Sequence, residues 1–368
     1  MTKVAIIGCG VVGAAIAYEL SQVRELSITL VDRQAPASGS TGAALGVLMG
    51  AISQKTKGRA WQLRQTSMQR YETLIPELEA LTGHHISFNR QGILMLRFAG
   101  EDLGKWEKLV EVRRSQGWQL EIWNRAKLQA KCPQIQSEKI VGAIYSPQDR
   151  QVNPAILTQA LVAGAARNGV NCKFGLKVEN VTSTAPDGSN LRRCDQIHTA
   201  AGQLEIDWLI VAAGLGSIPL SAALAQPIDI RPVLGQALEL KLNQPLGNPD
   251  FQPVITGNDV HIVPLGEGEY WVGATVEFPS DTGEVAAEPA LLEKLRQEAV
   301  SFCPALAGAT VVRTWSGKRP RPEGQPAPII DKLSGYSNVL LATGHYRNGI
   351  LLAPATALAI REAIAPGQ

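Results

Sequence analysis

The 368-residue sequence lacks the features that mark membrane-spanning and nucleic-acid-binding proteins. No apolar run reaches the ~18 residues that a membrane-spanning helix needs. The formal net charge is only +2, so no strong positive field would attract a nucleic acid or an anionic membrane surface. We therefore expect no nucleic-acid partner and no membrane span.

Cysteine is also scarce, and its pattern argues against both disulfides and metal binding. The five cysteines occur singly, in an odd number and without a CxxC pair. The adjacent His84 and His85 have no third ligand at metal-binding spacing. The N-terminal MTKVAIIG enters a strand at once, so we expect no signal peptide. We predict free thiols in a reducing compartment, a cytoplasmic protein and no bound metal.

Internal repeats, low-complexity tails and Gly/Ser-rich linkers are absent from the sequence as well. Hydrophobic residues make up 45% of the chain and charged residues 18%, which is ordinary for a soluble globular enzyme. The length predicts two domains or one large domain. The 35 glycines indicate many tight turns and close backbone approaches.

The N-terminal segment contains the most informative pattern that is present. A short apolar run, typical of a strand buried on both faces of a parallel sheet, is followed by Gly8, Gly10 and Gly13 as GxGxxG. A helix of small residues and a second strand, SITLVD, lead to Asp32. In such a βαβ unit the glycines permit a tight turn, the approach of a pyrophosphate, and close helix packing. The helix N-terminus attracts phosphate and Asp32 can accept from a ribose hydroxyl, so we predict dinucleotide binding.

The next segment, QAPASGSTGAALGVLMG, favours FAD over NAD. Its small residues would let the chain run against a large, flat cofactor, while hydroxyls and amides reach the phosphates and the flavin edge. The apolar ALGVLMGA that continues it fits a pocket better than a flexible surface loop. In these two segments the predicted FAD-binding residues are Gly8, Gly10, Val11, Val12, Gly13, Asp32, Arg33, Ser40, Thr41, Ala43, Ala44, Gly46, Val47 and Leu48.

Hydrophobic periodicity outlines the rest of the chain. We predict an amphipathic helix over 59–82, paired strands over 84–98, an outer helix over 101–117, a Pro-initiated helix and a strand over 152–172, strands over 177–181 and 205–217, and antiparallel strands over 226–314. The strand over 205–217 ends in small residues, which indicates a return to the nucleotide-binding domain. Further candidates to line the cofactor are Val178, Ala212, Ala213 and Gly214.

These elements predict a combination of α/β and α+β architecture. A discontinuous Rossmann-type FAD-binding domain would comprise residues 1–83, 148–225 and 315–368. A mostly antiparallel sheet would form the substrate-binding domain from residues 84–147 and 226–314.

Four segments, in order along nearly the whole chain, resemble one enzyme family. They are the fingerprint at 8–13, GSTGAALGVLMG at 39–50, WSGKRP at 315–320 and GHYRNGILLAPAT at 344–356. The fingerprint is generic, whereas the last segment is far more specific. The chain resembles the FAD-dependent D-amino acid oxidase and glycine oxidase family, including its thiamine-pathway glycine oxidases. This resemblance implies the GR2, or D-amino acid oxidase-like, form of the Rossmann-type domain.

The resemblance also implies a reaction. Enzymes of this family oxidise an amino acid by hydride transfer to flavin N5, the imine hydrolyses, and O₂ is reduced to H₂O₂. The implied substrate is glycine, sarcosine or a small D-amino acid, in thiazole formation for thiamine. A D-amino acid dehydrogenase with a quinone acceptor and a flavin-binding protein without turnover remain alternatives. A homo-oligomer is possible, but nothing in the sequence specifies a surface.

Two arginines are candidate substrate-binding residues. Arg319, in SGKRP, is similar to the arginine that holds the substrate carboxylate, for which a bidentate guanidinium is well suited. Its alternative is a solvated arginine in a basic turn. Arg347 would reach the carboxylate or the flavin edge, or form an ion pair that supports its loop. The remaining implied flavin-binding residues are His345, Tyr346, Arg347, Asn348, Gly349 and Ile350.

The sequence departs from the family at the substrate position. His261 stands where the family has a carboxylate-binding tyrosine, and Asp259 stands where glycine oxidases have a histidine. We hypothesise that His261, when protonated, binds the carboxylate with Arg319 and that the pocket admits more than glycine. The alternative is a strand histidine bonded to the backbone. Relatives with covalently bound FAD attach it through a cysteine in the region after the arginine motif. No cysteine follows Cys303 here, so the resemblance implies FAD that is not covalently attached.

Overall fold

The computed structural model describes residues 1–185, 190–280 and 283–367. Within them the helices are α1 (Val11–Leu20), α2 (Gly58–Thr82), α3 (Leu103–Ser115), α4 (Arg125–Lys131), α5 (Pro154–Arg167), α6 (Ser217–Ala223), α7 (Pro289–Phe302) and α8 (Gly349–Ile364). The strands are β1 (Thr2–Ile7), β2 (Leu26–Asp32), β3 (Val47–Leu48), β4 (Phe88–Asn89), β5 (Ile93–Phe98), β6 (Glu121–Asn124), β7 (Ile140–Ser146), β8 (Arg150–Val152), β9 (Asn171–Phe174), β10 (Val178–Thr184), β11 (Arg193–Thr199), β12 (Gly202–Glu205), β13 (Trp208–Val211), β14 (Ile230–Lys241), β15 (Val254–Gly257), β16 (Val260–Gly266), β17 (Glu269–Gly273), β18 (Thr310–Pro322), β19 (Ile329–Lys332) and β20 (Val339–Thr343). No helix among these residues is long and apolar enough to span a bilayer.

A six-stranded sheet in the order β19-β20-β13-β1-β2-β9 forms the first layer. Its strands are parallel except for β19, and Ala5 pairs with Thr29 on one side and Leu209 on the other. The apolar residues of β1 alternate between two cores. Val4 and Ile6 pack with helices α1, α2, α5 and α8, while Ala5 and Ile7 pack against strands β10 and β11. This arrangement confirms the predicted Rossmann-type domain.

An eight-stranded sheet in the order β18-β14-β17-β16-β15-β5-β7-β6 forms the second layer. Every pair is antiparallel except β15 with β5, so the predicted mostly antiparallel sheet is confirmed. Side chains alternate between its faces, as the strand period requires. One face packs on α4 and α7 through the row Leu94, Ile255, Ile262, Val272 and Leu238.

The opposite face of this sheet presents a row that positions the candidate site. Directly paired residues on neighbouring strands point to the same face. This row runs Met95, Thr256, His261, Gly273, Ala237 and Trp315. Gly273 leaves room for the segment after the first βαβ unit, because a Cβ there would lie 3.0 Å from Leu45 Cδ1.

Two local predictions are wrong. The strands within 84–98 do not pair with each other, because β4 joins β3 and β8 in a small three-stranded sheet and β5 pairs with β7 and β15. The predicted domain boundary at residue 315 falls inside β18, which pairs with β14 along its length. β18 contains Pro320 and Pro322, and it is an edge strand, where proline is tolerated.

The predicted helices over 59–82 and 101–117 correspond to α2 and α3, and the Pro-initiated helix is α5. Helix α7 was not predicted, since residues 226–314 were assigned to strands. The other domain boundaries stay predictions.

Candidate cofactor and substrate site

A cavity of about 1120 Å³ is lined by residues of both large sheets. From the first layer come the turn after β1, the start of α1 and the turn after β13. From the second come residues of β5, β14, β15, β16 and β18. Residues 38–41, 43–47, 49 and 342–350 complete it. The predicted residues that line it are Gly8, Gly10, Val11, Val12, Asp32, Arg33, Ser40, Thr41, Ala43, Ala44, Gly46, Val47, Ala212, Ala213, Gly214, His261, Arg319, His345, Tyr346, Arg347, Asn348, Gly349 and Ile350.

Glycines leave part of the backbone of the phosphate loop, residues 8–13, open to the cavity. Gly8 has φ +108°, and a Cβ on it would lie 2.6 Å from the carbonyl oxygen of Ala212. A Cβ on Gly13 would overlap the carbonyl oxygen of Gly8. Gly13 itself does not line the cavity, so its contribution is the close packing of α1 against the turn.

Asp32 and Thr41 hold the phosphate loop in place. The Asp32 carboxylate accepts hydrogen bonds from the backbone amides of Cys9, at 2.6 Å, and Gln34, at 2.9 Å. The Thr41 hydroxyl accepts a hydrogen bond from the backbone amide of Val11 at 3.0 Å. This bond caps the N-terminus of α1, because the N-cap residue Gly10 has no side chain to do so. Asp32 thus orders the turn and still lines the cavity.

The segment 40–46 lies between the two sheets. The Ser40 hydroxyl donates to the carbonyl of Lys318 at 2.6 Å, and Trp315 Nε1 donates to the carbonyl of Ala43 at 3.1 Å. A side chain on Gly317 would overlap Ala43 Cβ, so this glycine permits the close approach of β18. The small residues that suggested a flat cofactor therefore also serve packing against the second layer.

Two buried charged side chains fix the turn that follows Met49. The carboxylate of Asp149 accepts from the amides of Gly50, Ala51 and Ile52 at 2.8, 2.8 and 2.9 Å. The guanidinium of Arg113 donates to three carbonyls of the same turn, those of Ala51, Ser53 and Lys55. Burial raises the pKa of Asp149 and lowers that of Arg113 to about 10.

The C-terminal turn, residues 344–349, leads from β20 into α8. Gly344 has φ +65°, and a Cβ on it would lie 2.7 Å from Pro322 Cγ. Tyr346 also has a positive φ, +51°. The His345 ring is buried, and its Nε2 lies 2.9 Å from the Thr356 hydroxyl. Burial lowers the pKa of His345 to about 4, so the imidazole is neutral and anchors the turn.

Two predicted cofactor residues lie outside the main cavity besides Gly13. The Leu48 side chain is buried in the core. Val178 lines an adjoining cavity of about 220 Å³, which shares Gly8, Asp32 and Arg33 with the larger one. The smaller cavity therefore extends the site past the end of β2.

Arg319 is half-buried and its guanidinium is held by backbone. Its Nη1 donates to the carbonyls of Leu234 and Thr275, both at 3.1 Å. The absence of a side chain at Gly235 makes room for it, because a Cβ there would overlap the guanidinium. Burial and then the nearby Arg347 lower the pKa of Arg319, but a guanidinium stays charged in proteins. A fixed cation in the cavity is suited to a carboxylate.

The charge of His261 differs from the hypothesis drawn from the sequence, which took the ring as protonated. Burial, then Arg347, lowers its pKa to about 4. The imidazole is therefore neutral near pH 7, so it would offer a neutral donor and not a cation. Its Nδ1 is buried without a hydrogen-bond partner in the described part of the chain, so the alternative of a backbone-bonded histidine is not observed there.

Arg347 is exposed and makes an ion pair. Its Nη2 lies 3.1 Å from Asp259 Oδ1. Both residues line the cavity. The structure thus brings together the three predicted substrate residues, with Arg347 bound to an acidic partner.

Several lining residues were not predicted. Met49, Met95, Phe98 and Trp106 form an apolar part of the cavity surface, and Cys9 lies in the phosphate loop. The alternation of β5 could have indicated Met95. The parallel pairing of β5 with β15, which brings Met95 beside Thr256, has no local sequence signal.

These residues fit FAD. The open backbone of residues 8–13, the acidic Asp32 at the end of β2 and the long cavity of small residues suit a dinucleotide with a flat ring system. Among the cysteines of the described residues, Cys9 lines the cavity. Burial, with Asp32, raises its pKa, so it stays an unreactive thiol.

Comparison with known proteins defines the class. A family model described as DAO, FAD dependent oxidoreductase, matches residues 3–363. The chain therefore belongs to the DAO family of FAD-dependent oxidoreductases. The predicted family and the predicted dependence on FAD are confirmed.

Individual relatives are similar over nearly the whole chain. A bifunctional protein ThiO/ThiG from Nostoc sp. is 32% identical over 99% of this chain, which spans 53% of that relative, about half its length. A glycine oxidase from Geobacillus kaustophilus is 27% identical, with 98% of this chain and 92% of the relative covered. A crystal structure of glycine oxidase from Geobacillus kaustophilus superposes with a TM-score of 0.86 at 25% identity, covering 100% of this chain and 96% of the other.

Proposed function

We propose that this protein is an FAD-dependent oxidase of a small amino acid, with glycine as the first candidate substrate. The observation that carries the proposal is the presence of Arg319, His261 and Arg347 in the same cavity as the phosphate loop and the C-terminal turn. The similarity to glycine oxidases over nearly the full chain supports it. A guanidinium fixed by two carbonyls is a suitable anchor for an amino acid carboxylate.

The chain's own residues would orient the substrate. When bound, FAD would supply the two-electron acceptor for a hydride from the substrate α-carbon, with O₂ as the final acceptor to give H₂O₂ and an imine product that water would hydrolyse. Arg319 would bind the carboxylate, and the neutral His261 would donate a hydrogen bond to it. Because the amine lone pair assists hydride loss, orientation matters more here than a strong base.

Different parts of the cavity would hold FAD. The phosphate loop and the N-terminus of α1 suit the pyrophosphate, Asp32 the ribose, and the smaller cavity at Val178 the adenine side. Residues 40–47 and the C-terminal turn would contact the flavin, where the N-terminus of α8 favours negative charge. Attachment is proposed to be non-covalent, because the buried Cys9 thiol stays protonated.

We further propose that the product serves thiazole formation for thiamine. The resemblance to thiamine-pathway glycine oxidases and the ThiO/ThiG relative support this place. The altered position at His261 supports a substrate range that extends beyond glycine to sarcosine and small D-amino acids.

A peroxide-coupled screen of purified, FAD-loaded protein tests the proposal. Glycine, sarcosine and D-amino acids are supplied in air, and each is repeated with an artificial electron-accepting dye. Peroxide formation is expected with at least glycine. Dye reduction without peroxide would instead indicate a dehydrogenase with a quinone-type acceptor. No response in either assay would indicate a flavin-binding protein without turnover.

A further inference from the structure

Asp259 lies in a rigid turn at the substrate end of the cavity. Asn258 and Asp259 form the two-residue connection between β15 and β16, where Gly257 pairs with Val260. Their φ values are +49° and +61°, a conformation that Asn, Asp and Gly adopt most readily. Asn258 Nδ2 also donates to Glu298 Oε1 on α7 at 2.6 Å. The position of Asp259 is therefore fixed by its backbone and its neighbour.

The carboxylate of Asp259 pairs with Arg347, which lines the cavity together with Arg319. It lies 3.1 Å from Arg347, and the two side chains are 75% and 38% exposed. Arg347 is close enough to lower the pKa values of both Arg319 and His261. Without Asp259, an anionic ligand near Arg319 would also meet the Arg347 guanidinium without its acidic partner.

We infer that Asp259 is a specificity-determining residue, which holds Arg347 and thereby disfavours ligands with a second carboxylate. The inference rests on the proposed function, in which Arg319 binds the α-carboxylate of an amino acid. A ligand with one carboxylate is satisfied by Arg319. A ligand with a second carboxylate must compete with Asp259 for Arg347, and it also meets the negative charge of Asp259.

The exposure of the Asp259–Arg347 ion pair limits how strongly it disfavours a second carboxylate. Partly exposed ion pairs are weak, so Asp259 does not exclude a second carboxylate absolutely. Release of Arg347 would permit a charge-assisted hydrogen bond to that carboxylate, which is stronger than a neutral one. We therefore expect Asp259→Asn to improve dicarboxylate binding about tenfold relative to monocarboxylate binding.

Binding to FAD-loaded protein provides a test that needs no turnover. Acetate and malonate, which differ by one carboxylate, are titrated while the visible flavin spectrum and the thermal shift are recorded. Asp259→Asn is expected to lower the Kd of malonate about tenfold and to leave that of acetate nearly unchanged. Asp259→Gly, which also suits the positive φ, should behave similarly. An equal change for both ligands, or no tightening of malonate, would overturn the inference.

Two control variants separate release of Arg347 from a change in overall charge. Glu101 lines the same cavity, and its carboxylate accepts from the Phe98 amide without contacting Arg347. Asp250 is exposed and does not belong to the cavity lining. Neither Glu101→Gln nor Asp250→Asn should change the ratio of malonate to acetate affinity. If Glu101→Gln reproduces the effect of Asp259→Asn, long-range charge explains it and the inference is wrong.

A turnover comparison distinguishes this inference from the proposed function. Glycine and iminodiacetate are both achiral and differ by one carboxymethyl group. Asp259→Asn is expected to raise kcat/KM for iminodiacetate about tenfold relative to that for glycine. Oxidation of glycine with an unchanged ratio would contradict the inference alone. Failure of every amino acid to react would contradict the proposed function, while the malonate titration would still decide the role of Asp259.

Discussion

Glycines at the two ends of the cavity face different neighbours. In the phosphate loop, Gly8 and Gly13 lie against backbone atoms of the turns that follow β13 and β1. At the substrate end, Gly235 faces the guanidinium of Arg319, the far end of a flexible side chain. The backbone of these turns is held by the parallel strands that they follow, whereas the guanidinium can be displaced by breaking its two hydrogen bonds to carbonyls. The cofactor end therefore depends on rigid backbone and the substrate end on placed side chains.

The largest effect is expected from Gly13→Ala at the cofactor end. The new methyl group would overlap the Gly8 carbonyl oxygen, so the phosphate loop must distort at a cost above the roughly 1–3 kcal/mol that is typical of overpacking. Alanine is otherwise the better helix residue, so a loss reflects this contact alone. We expect colourless protein without bound FAD, as measured by visible absorbance. Gly308→Ala, where a Cβ meets nothing within 4 Å, is the matched control, and a normal FAD content in Gly13→Ala would refute this view.

Arg319→Ala is expected to have the next largest effect, and it acts at the substrate end. Loss of one partner of a charge-paired carboxylate costs on the order of 3 kcal/mol, or about 100-fold in kcat/KM. Bound FAD should be unchanged. Arg321→Ala is the control, since Arg321 lies on the same strand but pairs with Glu323 and stacks on Phe278 outside the cavity lining. Equal losses in both variants would remove Arg319 from the substrate site.

His345→Gln tests the C-terminal turn through acid stability. The folded-state pKa of His345, about 4, lies below the ordinary value of 6.5. The unfolded chain therefore binds more protons between about pH 6.5 and pH 4, and stability falls as the pH is lowered through that range. Above about pH 6.5 both states are neutral and the contribution vanishes. The shift corresponds to roughly 3 kcal/mol at its full extent.

We expect the unfolding free energy of His345→Gln, measured by denaturant titration, to depend less on pH than that of the wild type. The glutamine amide can replace the contact with Thr356. His84→Gln, which removes an exposed histidine, controls for loss of a histidine. If the unfolding free energies of the wild type and His345→Gln changed with pH in the same way, the pKa of His345 would not be lowered in the folded protein.

Gly235→Ala is expected to give the smallest effect, confined to substrate binding. The added methyl displaces the Arg319 guanidinium. This displacement should change the stability of the fold little, but it should weaken binding of the substrate carboxylate. KM should rise about tenfold, equivalent to roughly 1.4 kcal/mol, with little change in Tm. An unchanged KM would mean that the guanidinium position in the free protein is not the one used for binding.

The cofactor end could be predicted from the sequence because its requirements are local. Gly8, Gly10 and Gly13 follow one strand directly, and Asp32 ends the next, so spacing alone identifies the unit. The C-terminal turn was identified by resemblance, and the positive φ of Gly344 follows from the need to connect β20 with α8 over a short distance.

The substrate end was less predictable because its neighbours come from distant strands. Met95 lies beside Thr256 through a parallel pairing, and Arg347 meets Asp259 across the cavity. Neither contact has a signal in local sequence. The charge of His261 also depends on burial and on Arg347, which lower its pKa. The sequence shows neither of these influences, so it suggested a protonated histidine where the structure has a neutral one.

Anaerobic mixing of the FAD-loaded protein with glycine tests the central claim most directly. We expect glycine to bleach the visible flavin absorbance in the absence of oxygen, with saturation, and the half-saturating concentration to rise about 100-fold in Arg319→Ala. Failure of glycine, sarcosine and D-amino acids to bleach the wild-type flavin would contradict the account. So would bleaching of Arg319→Ala at the same concentrations as the wild type.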